Sequence, residues 1–291
     1  MNVPDAPSQQ SNAMKRARPA AGAAQLVSAL AQNAQRNLAQ WVLVIAPRRA
    51  TQFRPTMPAV AATVVTLIVV IASMFLFDTA ASDWARALPQ WFRNLFEIIT
   101  DFGLSGWFLV PFGFILLCLA ALISASLPHL TRGVLTALAA RFGFLFLAIG
   151  VPGLFVTIVK RLIGRARPYV GAHDDPFAYM PFIWRSDYAS MPSGHATTSV
   201  AAAIAIGAIW PRTRWAMWLY ALVIMFSRVV VLAHHPSDVI AGVIVGAAGA
   251  FLVRRWFAAR RLVFFGSDLR ATPGPSLRRI KVAFREAIAG L

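Results

Sequence analysis

The chain has a single cysteine, Cys118, and it lies inside an apolar run. A disulfide framework is excluded. Charge is scarce as well: only 13% of the 291 residues are charged, and Asp and Glu together number 11 against 28 Lys and Arg. So little charge cannot cover an ordinary soluble protein of this length. No internal repeat is evident, which sets aside solenoid and propeller architectures. What fills the chain instead is hydrocarbon: 58% hydrophobic residues and a mean hydropathy of +0.62. Uncharged stretches such as Met57–Phe77, "MPAVAATVVTLIVVIASMFLF", are long enough to cross about 30 Å of lipid at about 1.5 Å per residue. The sequence reads as an all-α polytopic membrane protein.

The net charge of +17 is compatible with nucleic acid binding. In a membrane chain it is better explained by basic residues gathered on the cytoplasmic side, so no nucleic acid partner is expected. Residues 1–24, rich in Ala, Gln, Ser and Pro, are expected to lack structure. Residues 25–56 hold an amphipathic segment ending in "WVLVIA", suited to a membrane surface. The first apolar run starts too far from the N-terminus for a cleaved signal peptide, and the first helix is expected to remain in the mature protein. A membrane domain is expected over 57–255, followed by a basic cytoplasmic tail at 256–291.

Six spans fit that domain, at about 57–77, 105–127, 135–159, 193–210, 215–233 and 236–253. The fourth and sixth are short and rich in Ala and Gly, as in helices packed inside a bundle. Basic residues set the orientation. Twenty of the 28 fall before the first span, in the second and fourth connections, or after the sixth. Both termini are then cytoplasmic. On the other side, residues 79–101 place Trp84, Leu88, Trp91, Leu95 and Ile99 at near-helical spacing, as in an interfacial helix. Residues 169–189 form a loop with Tyr169, Tyr179, Trp184 and Tyr188, whose rings suit the interface.

Three polar stretches break the apolar pattern: "KRLIGRARP" (160–168), "PSGH" (192–195) and "SRVVVLAHHPSD" (227–238). The charge-derived topology puts all three at the same membrane face. Their chemistry suits phosphate. Lys160, Arg167 and Arg228 supply cations, and the planar guanidinium fork matches phosphate oxygens. "PSGH" runs into a helix, so its N–H groups and the Ser193 hydroxyl face an anion, and Gly194 permits close approach. His195 and His234 remain for bond making and breaking. Asp238, four residues after His234 and in the first turn after Pro236, is placed to accept a hydrogen bond from one imidazole nitrogen and leave the other free. Other polar residues read more plainly. His129, His173 and His235 are taken as interfacial or structural, Arg161 and Arg165 as solvated or headgroup-facing, and His173, Asp174 and Asp175 as a solvated loop. Ionisable groups at membrane depth are costly, and the joint pattern therefore points to function.

The pattern Lys-x6-Arg-Pro, Pro-Ser-Gly-His and Ser-Arg-x5-His-x3-Asp resembles the type 2 phosphatidic acid phosphatase superfamily, which also contains the vanadium haloperoxidases. The matches are Lys160, Arg167 and Pro168; Pro192 to His195; and Ser227, Arg228, His234 and Asp238. The resemblance covers about residues 57–255. It implies that His234 attacks phosphorus to form a phosphohistidine, that Asp238 orients it, and that His195 protonates the leaving oxygen and later assists water. Lys160, Arg167, Arg228, Ser193 and the Gly194 amide would hold the phosphoryl oxygens. The register selects His234 over His235. The expected function is an integral membrane lipid phosphatase or diphosphatase, needing no cofactor and no metal. It would act on a lipid phosphate at the outer leaflet of a bacterial inner membrane, with its site facing the periplasm. The same motifs suit a lipid phosphotransferase; a binding protein or flippase would not need both histidines, and the haloperoxidases are soluble. The substrate and the oligomeric state are left open.

Overall fold

The computed structural model describes residues 8–45, 57–170, 175–265 and 269–290; the side chains of 8–23, 45 and 57–60 are outside that description. Ten α-helices and one hairpin are seen among these residues. They are α1 (Ser8–Ile45), α2 (Met57–Leu76), α3 (Asp78–Ala87), α4 (Gln90–Asp101), α5 (Gly106–Leu122), α6 (His129–Ile163), α7 (Gly194–Ile209), α8 (Arg214–Val230), α9 (Pro236–Ala259) and α10 (Leu277–Ala289). The antiparallel hairpin pairs β1 (Phe264–Phe265) with β2 (Arg270–Ala271). This is the all-α membrane fold that the composition implies.

The chain forms two compact units. One comprises Met1–Ala50, Phe114–Ala139 and Gly274–Leu291. There, α1 takes in residues 8–24, part of the stretch expected to lack structure, along with the amphipathic segment; residues 1–7 and 46–56 lie outside the described residues. Asn37 on α1 donates from Nδ2 to Ala120 O and Ile123 O, at 2.8 and 2.7 Å. These carbonyls at the end of α5 have no helical partner of their own. The tail at 256–291 is not featureless either: Ser276 caps α10, and Ala283 and Ala287 are buried.

The other unit, Thr51–Gly113 and Ala140–Pro273, holds all three polar stretches. Its centre is α7, which packs mainly on α8 and α9. The approach is close because α9 presents glycines. A Cβ at Gly242 would lie 2.5 Å from Ser193 O, and one at Gly246 2.5 Å from Thr197 O. Phe144, Leu145, Ile149, Ala201, Ala205, Phe257 and Phe264 form an apolar core below the polar end.

Among the described residues, three continuous helical stretches are long and apolar enough to cross a membrane: Gln90–Leu122, His129–Ile163 and Pro236–Ala259. A fourth arises if Ala61–Leu76 and Asp78–Ala87, bent by 48°, count as one span. Helices α7 and α8 have 16 and 17 residues and fall short of that length. The segment expected as one interfacial helix at 79–101 is two helices. Pro89, which supplies no N–H, follows Leu88 in extended backbone and divides them.

Candidate functional site

The first polar stretch is shaped by a glycine. Helix α6 ends at Ile163, and Gly164 follows with φ +64°. A Cβ there would sit 1.8 Å from Met180 O, so only glycine fits. The chain turns and runs alongside the outer loop, with Met180 N donating to Gly164 O, Ala166 N to Ala178 O and Arg167 N to Asp187 O. Residues 165 and 167 are thereby held in an extended strip, two residues apart, while Lys160 stays on the last turn of α6.

The second stretch opens α7. Ser193 is its N-cap and accepts from Ala196 N, and Ser193 N donates to Asp238 O at 2.9 Å, joining this turn to α9. A Cβ built on Gly194 would stand 3.9 Å from Lys160 Nζ, so the glycine opens towards that ammonium. His195 lies on the first turn, beside His234 and within the fields of Arg228, Lys160 and Arg167.

The third stretch closes α8 and opens α9. Arg228, in the last turn of α8, donates from Nη1 to Thr100 Oγ1 at 2.6 Å; Ser227 Oγ meets the same Thr100 hydroxyl at 3.0 Å. Its backbone carbonyl receives Ala233 N and His234 N, which folds the link back over the helix end. His235 is the N-cap of α9 with Pro236 at N1, and Asp238 is the N3 residue of a capping box. Burial pushes His234 down to about 4, so its imidazole is neutral at ordinary pH.

The structure thus gathers Lys160, Arg167, Ser193, Gly194, His195, Arg228, His234 and Asp238 in one unit, at the ends of α6, α7, α8 and α9. One expected contact is absent. His234 Nδ1 is 3.8 Å from Asp238 Oδ2, beyond hydrogen-bond range. The carboxylate is already engaged: Oδ2 accepts from Ser190 Oγ at 2.5 Å and from His235 N at 2.9 Å, and Oδ1 from Arg165 Nη1 at 2.5 Å. Among the described residues, buried side-chain nitrogens without a partner include Arg167 Nε, Arg228 Nε and His234 Nδ1. Arg93 Nε on α4 is a fourth. Most buried polar groups in a folded protein are paired, so the free Nε atoms of Arg167 and Arg228, whose charges both act on His234, are donors left open beside that histidine.

Arg165 corrects the sequence reading. It is not solvated but fully buried, donating to Asp78 Oδ2, Asp238 Oδ1, Ser237 Oγ and Pro176 O. Asp78, Ser190, Ser237 and Thr100 were not picked out from the sequence. Two signals pointed to this cluster: "RAR" in an extended strip puts Arg165 and Arg167 on one face, and Asp78 is an acid at the end of an apolar span, where charge is costly. Arg161 is partly exposed and donates to Arg185 O at 2.8 Å. His173 and Asp174 lie outside the described residues; Asp175 Oδ1 accepts from Phe177 N.

A helical membrane protein that gathers three cations and two histidines at its helix ends falls in the class of phosphate-cleaving membrane enzymes. Residues 141–262 match the family model described as the PAP2 superfamily. The chain is 37% identical over 202 residues to a lipid A 1-phosphatase of Rhizobium johnstonii, covering 69% of this chain and 81% of that protein. It is 31% identical over 110 residues to an undecaprenyl-diphosphatase of Sulfolobus acidocaldarius, covering 36% and 53%. Among solved structures, a transmembrane PAP2-type phosphatidylglycerolphosphate phosphatase from Bacillus subtilis matches with a TM-score of 0.48 and 20% identity, over 68% of this chain and 94% of that one. The chain belongs to the PAP2 superfamily. It is a membrane lipid phosphatase or diphosphatase.

Proposed function

We propose that this enzyme removes a phosphate monoester from a glycolipid in the outer leaflet, the anomeric phosphate of lipid A being the leading substrate, through a phosphohistidine formed on His234. The observation that carries the site reading is that Arg167 and Arg228, each with an unpartnered buried Nε, stand with Lys160 and His195 around His234. The choice of lipid A rests on the Rhizobium johnstonii relative.

The chemistry follows in two steps. His234, neutral and with Nδ1 turned towards Asp238, attacks phosphorus through Nε2. The bond between phosphorus and the lipid oxygen breaks, and His195 gives that oxygen a proton. Water then attacks the phosphohistidine, His195 takes a proton from it, and inorganic phosphate leaves. Lys160, Arg167 and Arg228 offset charge on the equatorial oxygens, as magnesium does elsewhere. The distribution of basic residues supports cytoplasmic termini and a periplasmic site in a bacterial inner membrane. Exposed Phe182, Trp184 and Trp91 belong to segments expected at that face, where rings contact lipid.

The test is phosphate release by the purified protein from lipid A, phosphatidic acid, phosphatidylglycerol phosphate and undecaprenyl diphosphate. Release from lipid A with loss of the 1-phosphate supports the proposal; release confined to another lipid reassigns the substrate. Transfer to a second lipid without free phosphate would make it a phosphotransferase. Reporter fusions at residue 291 and within 175–189 check the orientation, and a cytoplasmic signal from that loop would move the site to the inner leaflet.

A further inference from the structure

Two buried carboxylates, Asp78 and Asp238, are joined by one guanidinium. Arg165 Nη2 is 2.7 Å from Asp78 Oδ2, its Nη1 is 2.5 Å from Asp238 Oδ1, and all three side chains have no solvent exposure. Ser237 locks the arrangement by accepting from Arg165 at 2.7 Å while donating to Asp78 at 2.5 Å, and Ser237 N donates to Asp78 Oδ1 at 3.0 Å. Asp78 begins α3, Arg165 lies in the strip after α6, and Asp238 is in the first turn of α9. Beside them, Ser82 of α3 meets His235 Nδ1 at 3.4 Å, and Arg86 of α3 donates to Pro168 O at 2.6 Å. Helix α3 is therefore fastened to two of the three motif stretches, with Arg165 as the central tie.

We infer that Arg165, held by Asp78, is the positioning residue that fixes the Asp238 carboxylate and limits how much negative charge it presents to His234. This rests on the phosphohistidine reading above. Taken as ions, Asp78, Arg165 and Asp238 carry a net charge of about −1. Free of Arg165, Asp238 would swing towards the unpartnered His234 Nδ1, 3.8 Å away, and stabilise imidazolium, which is useless as a nucleophile. Held by Arg165, Ser190 and His235 N, it stays at a distance where it orients the ring and still answers the positive charge that appears once Nε2 bonds to phosphorus. Other charged or titratable groups near His234 are Arg228 on α8 with Asp101 of α4 facing it, Arg167 and Lys160 at the end of α6 and beyond it, His195 on α7, and the adjacent His235. Of these, His235 itself feels Arg165 and Asp78, so its titration is followed beside that of His234.

Because Arg165 and Asp78 carry opposite charges, the two single substitutions push His234 in opposite directions and the double substitution cancels them. Arg165→Met takes the cluster to about −2, Asp78→Asn to about 0, and the double variant returns it to about −1. The His234 titration is followed by nitrogen NMR on the histidine-labelled, detergent-solubilised full chain, with His234→Gln giving the assignment. We expect the midpoint to rise by about one pH unit in Arg165→Met, to fall by a similar amount in Asp78→Asn, and to return near the wild-type value in the double variant. In phosphate release, kcat falls about 10- to 100-fold in all three while KM moves little, since geometry is lost even where charge is restored. Ser190→Ala, a small change that leaves the charges in place, should lower kcat without moving the midpoint. Arg165→Lys covers the case in which Arg165→Met does not fold: a single ammonium cannot hold both carboxylates, so kcat falls with the midpoint nearly unmoved. A His234 midpoint indifferent to both charge changes, or a kcat that falls only with the folded fraction, overturns the inference. Failure of wild-type phosphate release would instead strike the phosphatase reading, and the NMR titration decides the positioning role independently of turnover.

Discussion

Arginines at the two ends of the α7–α9 pair are used in opposite ways. At the end carrying the hairpin, Arg141 donates from Nη2 to Thr272 O and Pro273 O, both at 3.0 Å, and Arg254 donates to Leu269 O and lies 5.2 Å over the Phe264 ring. These guanidiniums complete the fold: they saturate carbonyls that the short hairpin and its exit leave unpaired. At the other end, Arg167 and Arg228 are held by neighbours but keep a buried Nε without a partner. Saturated donors mark where the chain is stapled, and the two open Nε atoms beside His234 are the donors that the proposed function assigns to phosphate. Arg165 sits at the second end yet is saturated, which is why it is assigned to positioning rather than to phosphate.

The sharpest way to break this contrast is at His234. His234→Ala should abolish phosphate release, by at least about 10⁴-fold in kcat, while the protein still inserts and unfolds at a similar temperature. His235→Ala should keep most of its activity, and the reverse pattern would transfer the nucleophile to the neighbouring histidine. Next in size, Arg228→Met should cost about 10²- to 10³-fold in kcat/KM, the scale of a lost donor to developing charge. Arg141→Met should show the opposite profile: a loss of about 1–3 kcal/mol in stability and an unchanged kcat per folded molecule. Should Arg141→Met silence the enzyme without destabilising it, the division between stapling and binding arginines fails.

A pH profile sharpens the same comparison. With His234 pushed down to about 4 by burial, kcat/KM should stay high as pH falls through 6.5, where an ordinary histidine gains its proton, and decline only nearer 4. A decline centred at 6 to 7 would mean that a more exposed group limits the reaction. The smallest expected effect is that of a chelator. On the proposed mechanism Lys160, Arg167 and Arg228 do what magnesium does in many phosphoryl-transfer sites, so release should be unaffected by excess EDTA. Full loss with EDTA and recovery with magnesium would direct attention to His173, Asp174 and Asp175.

Much of this was legible in the chain. Long uncharged runs cannot be anything but buried in lipid or protein, and three polar stretches at fixed spacing do not belong in lipid. "PSGH" and "HPSD" read as helix openings because Ser, Pro and Asp favour those positions, and α7 and α9 do begin there. The boundaries of α6 and α9 were less legible, because a helix with basic residues at its end continues past the lipid boundary for as long as its backbone stays satisfied.

What the sequence by itself determined is the chemistry available at one face: the cations, the two histidines and the carboxylate, at spacings set by helical turns. Only the tertiary structure decided how the charges are shared. Arg165 and Arg161 are four residues apart in one stretch, and nothing in composition separates them. The Gly164 turn sends Arg165 inward, and Asp78, 87 residues away in sequence, meets it there. The partner of Asp238 is likewise Arg165 and not His234, because a buried carboxylate goes to the guanidinium that can fork across it. Pairing of buried charge depends on which helix ends converge, and that is a property of the packed chain.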